Sequence, residues 1–462
     1  MENWSGKKVI VIGAARQGTA LSRYLASKGA QVILTDMHSL DELPASLSDL
    51  EKLGIQLCLG GHPLELLEGA DCVCVSGGVP LTIPFIQAAL QRGIPLSNDS
   101  QIFLEACPAQ VIGITGSSGK TTTTALVGLM AQKYYEMKQN GHRAWVGGNI
   151  GNPLIEQVDQ IDEDDLVVLE LSSFQLELMT RSPQIAAILN ITPNHLDRHG
   201  SMQAYIAAKS RILRFQQPGD VAILNRDDPG SWSLAEHLKS DLISFGFQKP
   251  DYMQNGTYIY KDAIWLQLGH ESLKMLPLEW IQLPGRHNIA NVLAACAIAT
   301  AASLALPAIQ TAIEEFTGIP HRLEFIRNVN GADWYNDSIA TAPERTLAAI
   351  EAFEGPLVLL LGGRDKNLPW DDLARLIHQR VRAVVLFGEA ASLIEKALGA
   401  VKKGESLQTI SRVNTLEEAV QAAAKLAQPG DTVLLSPGCT SFDAFKDFEE
   451  RGEYFRKLVN AL

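Results

Sequence analysis

Short apolar runs rich in Val, Ile and Leu alternate with segments of helical period along almost the whole chain. Residues 9–12, 32–35 and 72–76 are runs of this kind, and residues 18–28 between the first two have the spacing of an amphipathic helix. Further runs lie at 111–115, 166–169, 186–191 and 221–224, then at 357–361, 383–387 and 432–435. Each ends near Gly, Pro or a polar turn. Continuous apolar runs with helical spacers predict parallel strands covered on both faces. Residues 258–268 alternate instead, as a β-hairpin does, and 288–302 form a small-residue apolar helix. The pattern breaks near Cys107-Pro108 and again at Thr317-Gly318-Ile319-Pro320. It predicts three α/β domains, 1–107, 108–318 and 319–462. Residues 133–143 are expected as a polar surface insertion.

Composition narrows the function. The 462 residues are 46% hydrophobic and 20% charged, typical of a globular protein. A net charge of −13 argues against a nucleic-acid partner held on a general positive surface. No apolar run approaches the roughly 20 residues that cross a bilayer, and the polar start lacks the pattern of a signal peptide. A cytoplasmic protein is expected. Cys72 and Cys74 should point the same way in one strand, and with the other four cysteines read as buried free thiols.

The sharpest local motif is Thr115-Gly116-Ser117-Ser118-Gly119-Lys120-Thr121-Thr122, between an apolar strand and an apolar helix. Glycines let backbone N–H groups face phosphate oxygens, and the helix N-terminus adds the positive end of its dipole. Lys120 can reach the β- and γ-phosphates, and the Thr121 hydroxyl can reach Mg²⁺. The full phosphate-loop pattern fails because residue 114 is Ile, which leaves GxxGKT. Gly13-Ala14-Ala15-Arg16-Gln17-Gly18, followed by Asp36, is either a nucleotide site or a tight turn with no ligand. Ser76 and Gly78 end the third strand of that region. Glu170 at a strand end, His195 in a polar loop and Lys209 on the next helix are each compatible with a structural role alone. Behind a phosphate loop they gain meaning, since phosphoryl transfer depends on placed metals and cations.

Several motifs then line up in order. They are Gly147-Gly148-Asn149-Ile150-Gly151, Glu170-Leu171-Ser172-Ser173-Phe174-Gln175-Leu176, Asn194-His195-Leu196-Asp197-Arg198, Pro284-Gly285-Arg286-His287-Asn288, Pro320-His321-Arg322-Leu323-Glu324, Asn336-Asp337-Ser338, and the run from Ser436 to Gly452. With the GxxGKT loop, this series resembles the Mur ligase family over essentially the whole chain. The string from Glu170 to Leu176 is similar to the branch that adds D-glutamate.

The resemblance implies Rossmann-like outer domains flanking a central P-loop-type ATPase domain, in an ATP- and Mg²⁺-dependent ligase, with two metal ions, that makes an acyl phosphate and then an amide. It implies UDP-N-acetylmuramoyl-L-alanine and D-glutamate as substrates of a monomeric enzyme. By position, Gly116 to Thr122, Asn288, Arg322 and Asp337 would hold ATP. Gly13, Arg16, Gln17, Asp36, Ser76, Gly78, Asn149 and His195 would hold the UDP substrate, and Thr341, Lys366, Ser441 and Phe448 would hold D-glutamate. Thr121, Glu170, His195 and a carbamylated Lys209 would serve the metals, and Lys120, Glu170, His195 and Lys209 catalysis. Without the modification, Lys209 would pair with phosphate or a nearby acid, and Lys366 reads alternatively as a solvated loop lysine. The chain departs from the family at Ile339, where Lys is frequent, and at Met37-His38, where Thr-Arg is familiar. Other readings are another Mur-type ligase, a folate-type ligase, or a non-catalytic nucleotide-binding module. The complete α/β region before the phosphate loop disfavours the folate type, and the intact Lys120, Glu170, His195 and Lys209 set disfavours the module.

Overall fold

A computed structural model of the chain describes residues 3–462 except 44–46, 150, 152, 195, 284, 367 and 403. The described chain divides into two compact units, Met1–Phe316 and Thr317–Leu462. The division falls at the Gly-Pro segment where the hydrophobic pattern breaks.

The first unit contains two sheets. β1 (Lys8–Ile12), β2 (Gln31–Asp36), β3 (Gln56–Leu59), β4 (Cys72–Val75) and β5 (Leu96–Ser97) form a parallel sheet of order β3-β2-β1-β4-β5. The order reverses between β1 and β4, which opens a crevice at their carboxyl ends. Val9 and Val11 face one apolar cluster and Ile10 and Ile12 another, so every residue of this run is buried. Cys72 and Cys74 point to the same side with sulfurs 4.0 Å apart, and all six cysteines are free.

The second sheet has nine strands in the order β14-β13-β12-β11-β10-β9-β6-β8-β7. They are β6 (Gln110–Thr115), β7 (Ala144–Gly148), β8 (Leu166–Glu170), β9 (Ile185–Ile188), β10 (Val221–Asn225), β11 (Asp241–Phe245), β12 (Asn255–Tyr260), β13 (Ala263–Leu268) and β14 (Glu271–Pro277). Strands β6 to β12 pair in parallel, and β12-β13-β14 is an antiparallel meander that contains the expected hairpin. β9 stops at Ile188, short of the expected 191, and beyond it Asn190 bonds the Ser117–Ser118 loop through both its backbone carbonyl and its side chain. Residues 133–138 are half-buried or exposed, as a polar surface segment is, but they are helical. They complete the helix Lys120–Lys138, which ends where Gln139 adopts φ +51°. Lys133 pairs with Glu315 at 2.7 Å, and the Tyr135 hydroxyl donates to the Asp164 carbonyl at 2.9 Å.

One apolar cluster runs from Val9 and Leu25 through Ile155 to Val167 and Leu224, so both sheets share a core. Polar bonds close the seam between them. Arg23 pairs with Glu156 at 3.0 Å, Lys28 with Asp159 at 2.7 Å, and the Asn98 amide donates to the Gln175 carbonyl at 2.6 Å.

The second unit has one six-stranded sheet, order β15-β16-β20-β17-β18-β19. Its strands are β15 (Glu324–Val329), β16 (Ala332–Asn336), β17 (Leu357–Gly362), β18 (Val381–Phe387), β19 (Thr409–Arg412) and β20 (Thr432–Gly438). All pair in parallel except β15 with β16. Leu357, Leu359 and Leu361 enter one core, and Val358 and Leu360 the other. The helix Phe448–Asn460 begins where the Asp447 carboxylate accepts the Glu450 N–H at 2.8 Å. Among the described residues, no helix of either unit is long and apolar enough to cross a membrane.

Candidate active site

The glycine loop sits where β6 ends and the helix Lys120–Lys138 starts. Gly119 takes φ +79°, which favours glycine, and a Cβ there would lie 2.3 Å from the Asn291 Oδ1. The loop is therefore cut to fit the helix Arg286–Ala301, on which Asn291 donates to the Asn288 Oδ1 at 3.2 Å. Asn190 Oδ1 accepts the Ser118 N–H at 2.8 Å, and the Ser117 hydroxyl donates to the Thr192 carbonyl at 2.9 Å. The Lys120 ammonium donates to the Gly116 and Ser117 carbonyls at 2.9 and 3.3 Å. Lys120, Thr121 and Thr122 are half-buried at the loop's open side.

Lys209, on the helix Met202–Arg214, reaches the same loop. Its ammonium donates to the Gly116 carbonyl at 2.8 Å and approaches the Thr115 hydroxyl at 3.4 Å. Burial pushes its pKa down to about 6, the Lys120 charge adds to the fall, and Glu170 opposes it. Lys209 is thus poised to give up its proton far more readily than an exposed lysine.

Glu170 ends β8 and is 1% exposed. Its Oε1 accepts the Asn149 side-chain N–H at 2.8 Å, while Oε2 is buried with no hydrogen-bond partner among the described residues. The Asn149 N–H also donates to the Glu170 carbonyl at 2.8 Å. A buried carboxylate oxygen without a proton donor suits a hard cation, which takes oxygen ligands. No cluster of three or more His, Cys, Asp or Glu that could hold a metal occurs among the described residues, and His195 lies outside them.

At the crevice of the five-stranded sheet, Gly13 has φ +101° and a Cβ at Gly18 would fall 1.9 Å from the Gly13 carbonyl oxygen. Both glycines are thus required by the turn itself. Asp36 accepts the Ala14 N–H at 2.6 Å and the His38 N–H at 2.9 Å. These bonds and the His38 ring hold its carboxyl below the usual range despite the opposing effect of burial, the largest single influence. Ser76 donates to the Gly13 carbonyl at 3.3 Å, Arg16 is exposed, Gln17 half-buried, and Gly78 exposed.

In the second unit, Asp337 is buried after β16. Burial raises its pKa to about 7, against the Ser436 hydroxyl, the Leu323 N–H and the charges of Arg322 and Arg345. Lys366 donates to the Thr341 hydroxyl at 3.3 Å, and its pKa is lowered by burial and by Arg345. Ser441 is buried and Phe448 half-buried. The Ser338 hydroxyl donates to the Phe448 carbonyl at 2.8 Å. Arg451, fully buried, donates to the Ser338 hydroxyl at 3.0 Å, the Ser338 carbonyl at 2.8 Å and the Cys439 carbonyl at 3.2 Å. It ties the Asp337–Thr341 loop to the Cys439–Ser441 loop.

Comparison with known proteins is decisive. Residues 7–98 match the Mur ligase MurD-like N-terminal domain, 114–299 the Mur ligase middle domain, and 321–439 the Mur ligase glutamate ligase domain. The UDP-N-acetylmuramoylalanine–D-glutamate ligase of Symbiobacterium thermophilum is 41% identical over 99% of this chain and 98% of its own. The enzyme so named from Pelotomaculum thermopropionicum is 40% identical over 100% and 99%. The chain belongs to the Mur ligase family. The UDP-N-acetylmuramate–alanine ligase MurC of Thermotoga maritima shares the fold, with TM-score 0.54 and 20% identity over 98% of this chain and 99% of its own.

Mur ligases are ATP-dependent, amide-forming enzymes, and this chain carries the three-domain Mur ligase fold. Within the first unit the expected residues gather as two groups. Gly116 to Thr122, Asn149, Glu170, Lys209 and Asn288 lie around the phosphate loop; Gly13, Arg16, Gln17, Asp36, Ser76 and Gly78 lie at the five-stranded sheet's crevice. Arg322, Asp337, Thr341, Lys366, Ser441 and Phe448 belong to the second unit. The sequence reading passed over Asn190, Asn291, His199, Tyr205 and Arg451. Asn291 could have been found as the residue one turn beyond Asn288, and Arg451 as the lone cation on the buried face of its helix.

Proposed function

We propose that this Mur ligase joins the L-alanine carboxylate of UDP-N-acetylmuramoyl-L-alanine to the amine of D-glutamate, as a cytoplasmic monomer making peptidoglycan precursor. The substrate assignment is supported by full-length likeness to relatives bearing that name. The chemistry is supported above all by one observation: a neutral-poised lysine and a buried carboxylate with an open oxygen flank one phosphate loop.

The substrate carboxylate oxygen attacks the γ-phosphorus of ATP, the bond to the β-phosphate oxygen breaks, and ADP leaves. The D-glutamate nitrogen then attacks the acyl phosphate carbon. The carbon–oxygen bond to phosphate breaks, the amine gives up a proton, and the amide remains. Loop N–H groups and Lys120 hold the phosphates and the charge that develops on them. Lys120 leaves the Gly116 and Ser117 carbonyls to do so. Asn288, Arg322 and Asp337 hold the nucleoside and phosphates; Arg322 can offer two parallel hydrogen bonds.

Thr121, Glu170, His195 and a carbamylated Lys209 would hold two Mg²⁺ ions, which neutralise the transferring phosphoryl group when bound. Neutral Lys209 attacks CO₂, forms an N–C bond and releases a proton, becoming a carbamate. Its remaining N–H can keep the Gly116 carbonyl. Asn149 uses its N–H on Glu170 and so has its Oδ1 left for the UDP substrate, which His195 would also serve. Gly13, Arg16, Gln17, Asp36, Ser76 and Gly78 receive the UDP end, and Thr341, Lys366, Ser441 and Phe448 receive D-glutamate. Domain limits at 107/108 and 318/319 accompany this division of labour.

An amine screen tests the reading. Phosphate release from ATP is expected only with Mg²⁺, UDP-N-acetylmuramoyl-L-alanine and D-glutamate together. Equal release with L-glutamate, L-alanine or diaminopimelate would end the D-glutamate assignment.

A further inference from the structure

His199 closes the short helix Leu196–His199, and its side chain is 1% exposed. Its Nε2 lies 3.0 Å from the Ser173 hydroxyl and its Nδ1 3.0 Å from the Glu177 carboxylate. Its ring stacks on Phe174, with centroids 5.2 Å apart and planes 3° apart. It also leans on Tyr205, at 5.1 Å. Every polar edge and one face of the imidazole are therefore used, and the partners belong to separate parts of the site.

Ser173 and Phe174 form the turn that follows Glu170. Tyr205 is on the Lys209 helix, and its hydroxyl lies 3.1 Å from the Ser117 hydroxyl of the phosphate loop. In the other direction, the Arg198 guanidinium lies 4.6 Å from the Phe174 ring centroid and donates to the Gly78 carbonyl at 3.1 Å. Gly77 lies close to the same segment: a Cβ there would be 3.7 Å from the Gln175 Cγ and 3.8 Å from the Phe174 Cβ. The contacts run unbroken from Gly78 through Arg198, Phe174, His199 and Tyr205 to Ser117.

We infer that His199 is a positioning residue that couples the loop at Ser76–Gly78 to the phosphate loop, so that a ligand on one raises affinity at the other. The inference rests on the reading that Ser76–Gly78 receives the UDP substrate. The His199 side chain is buried among protein groups rather than open to a ligand. It sets the Ser173–Phe174 turn against the Lys209 helix, and a shift of Gly78 on ligand binding reaches Ser117 through rigid rings rather than through backbone. Coupling needs a continuous packed path whose arrangement both ligands bias, and the stack supplies that path.

The test is calorimetric titration of a non-hydrolysable ATP analogue with and without saturating UDP-N-acetylmuramoyl-L-alanine. In the native protein the UDP substrate is expected to tighten analogue binding about fivefold or more. In His199→Phe, which keeps a ring but loses both polar contacts, the factor is expected to fall to about one. His199→Gln, which can still bond Ser173, is expected to recover part of it. Hydrogen exchange provides a second reading if titration is limited by stability. Amides of residues 116–122 should exchange faster in His199→Phe while those of residues 8–12 do not change. An unchanged coupling factor and unchanged exchange in His199→Phe would overturn the inference and leave the substrate reading intact. Failure of the native protein to bind the UDP substrate would overturn the substrate reading, and the inference with it.

Discussion

Lys209 and Arg451 solve the same problem in opposite ways. Each is a cation buried in one unit, and neither has a carboxylate within hydrogen-bond distance in the geometry described above. Among the described residues Lys209 has one short contact, to the Gly116 carbonyl, and a long one to the Thr115 hydroxyl, and it lies near a second positive charge, Lys120. Its pKa drops to about 6. Arg451 has four hydrogen bonds to three oxygen atoms, and burial lowers its pKa only to about 10, so it stays charged. A guanidinium can fan its donors over two loops, whereas an ammonium is a compact point that gives up its proton when starved of partners. Burial thus prepares a reagent in one unit and a clamp in the other.

The sharpest way to break this contrast is Lys209→Arg, which makes the reagent into a permanent cation. Turnover is expected to fall by about 10³-fold, with the thermal midpoint measured in parallel to show that the fold survives. Near-native phosphate release would show that the neutral amine has no chemical role. The native lysine also has a pH signature. Between about 6 and 10.5 the unfolded chain carries a proton that folded Lys209 lacks, so its cost to stability shrinks as pH rises through that window.

Arg451→Met removes the clamp and leaves the Ser338 and Cys439 carbonyls unpaired. A loss of about 2–4 kcal/mol is expected, read by chemical denaturation, with KM for D-glutamate rising because Thr341 and Ser441 lose their common anchor. A change below 0.5 kcal/mol, the ordinary surface range of about that size, would make Arg451 a passenger.

The smallest effect concerns Asp337, a buried carboxyl next in the chain to Ser338, which that clamp binds. Its folded pKa is raised to about 7, so between about 4 and 7 the folded chain holds a proton that the unfolded chain has released. Stability from this group is complete at low pH and is lost as pH climbs through that window. Asp337→Asn should therefore gain thermal midpoint relative to the native protein on going from pH 5 to pH 8. A difference independent of pH would mean that Asp337 is ionised throughout.

What could be read from the chain was local. The run Val9–Ile12 and the turn Gly116–Thr121 announce themselves because strand burial and a glycine cradle are written in consecutive residues. Glu170 was legible as a strand end for the same reason. The role of Asn149 toward Glu170 was not, because β7 and β8 pair only in the folded sheet. Arg451 and His199 work through partners up to 113 residues away, and no spacing rule connects them. The helix through 133–138 was not legible because polar surface side chains hide the apolar period there. The β15–β16 hairpin escaped for a related reason: β15 is largely exposed and shows no apolar run.

The single core beneath the first two sheets limits how such an enzyme can be rebuilt. Ile155 and its neighbours serve both layers, so severing the chain near residue 107 would strip each half of walls the other supplies. Such fragments should be sticky and poorly folded. The segment beginning at Thr317 brings its own pair of cores, so it is the natural cassette to exchange whole between relatives.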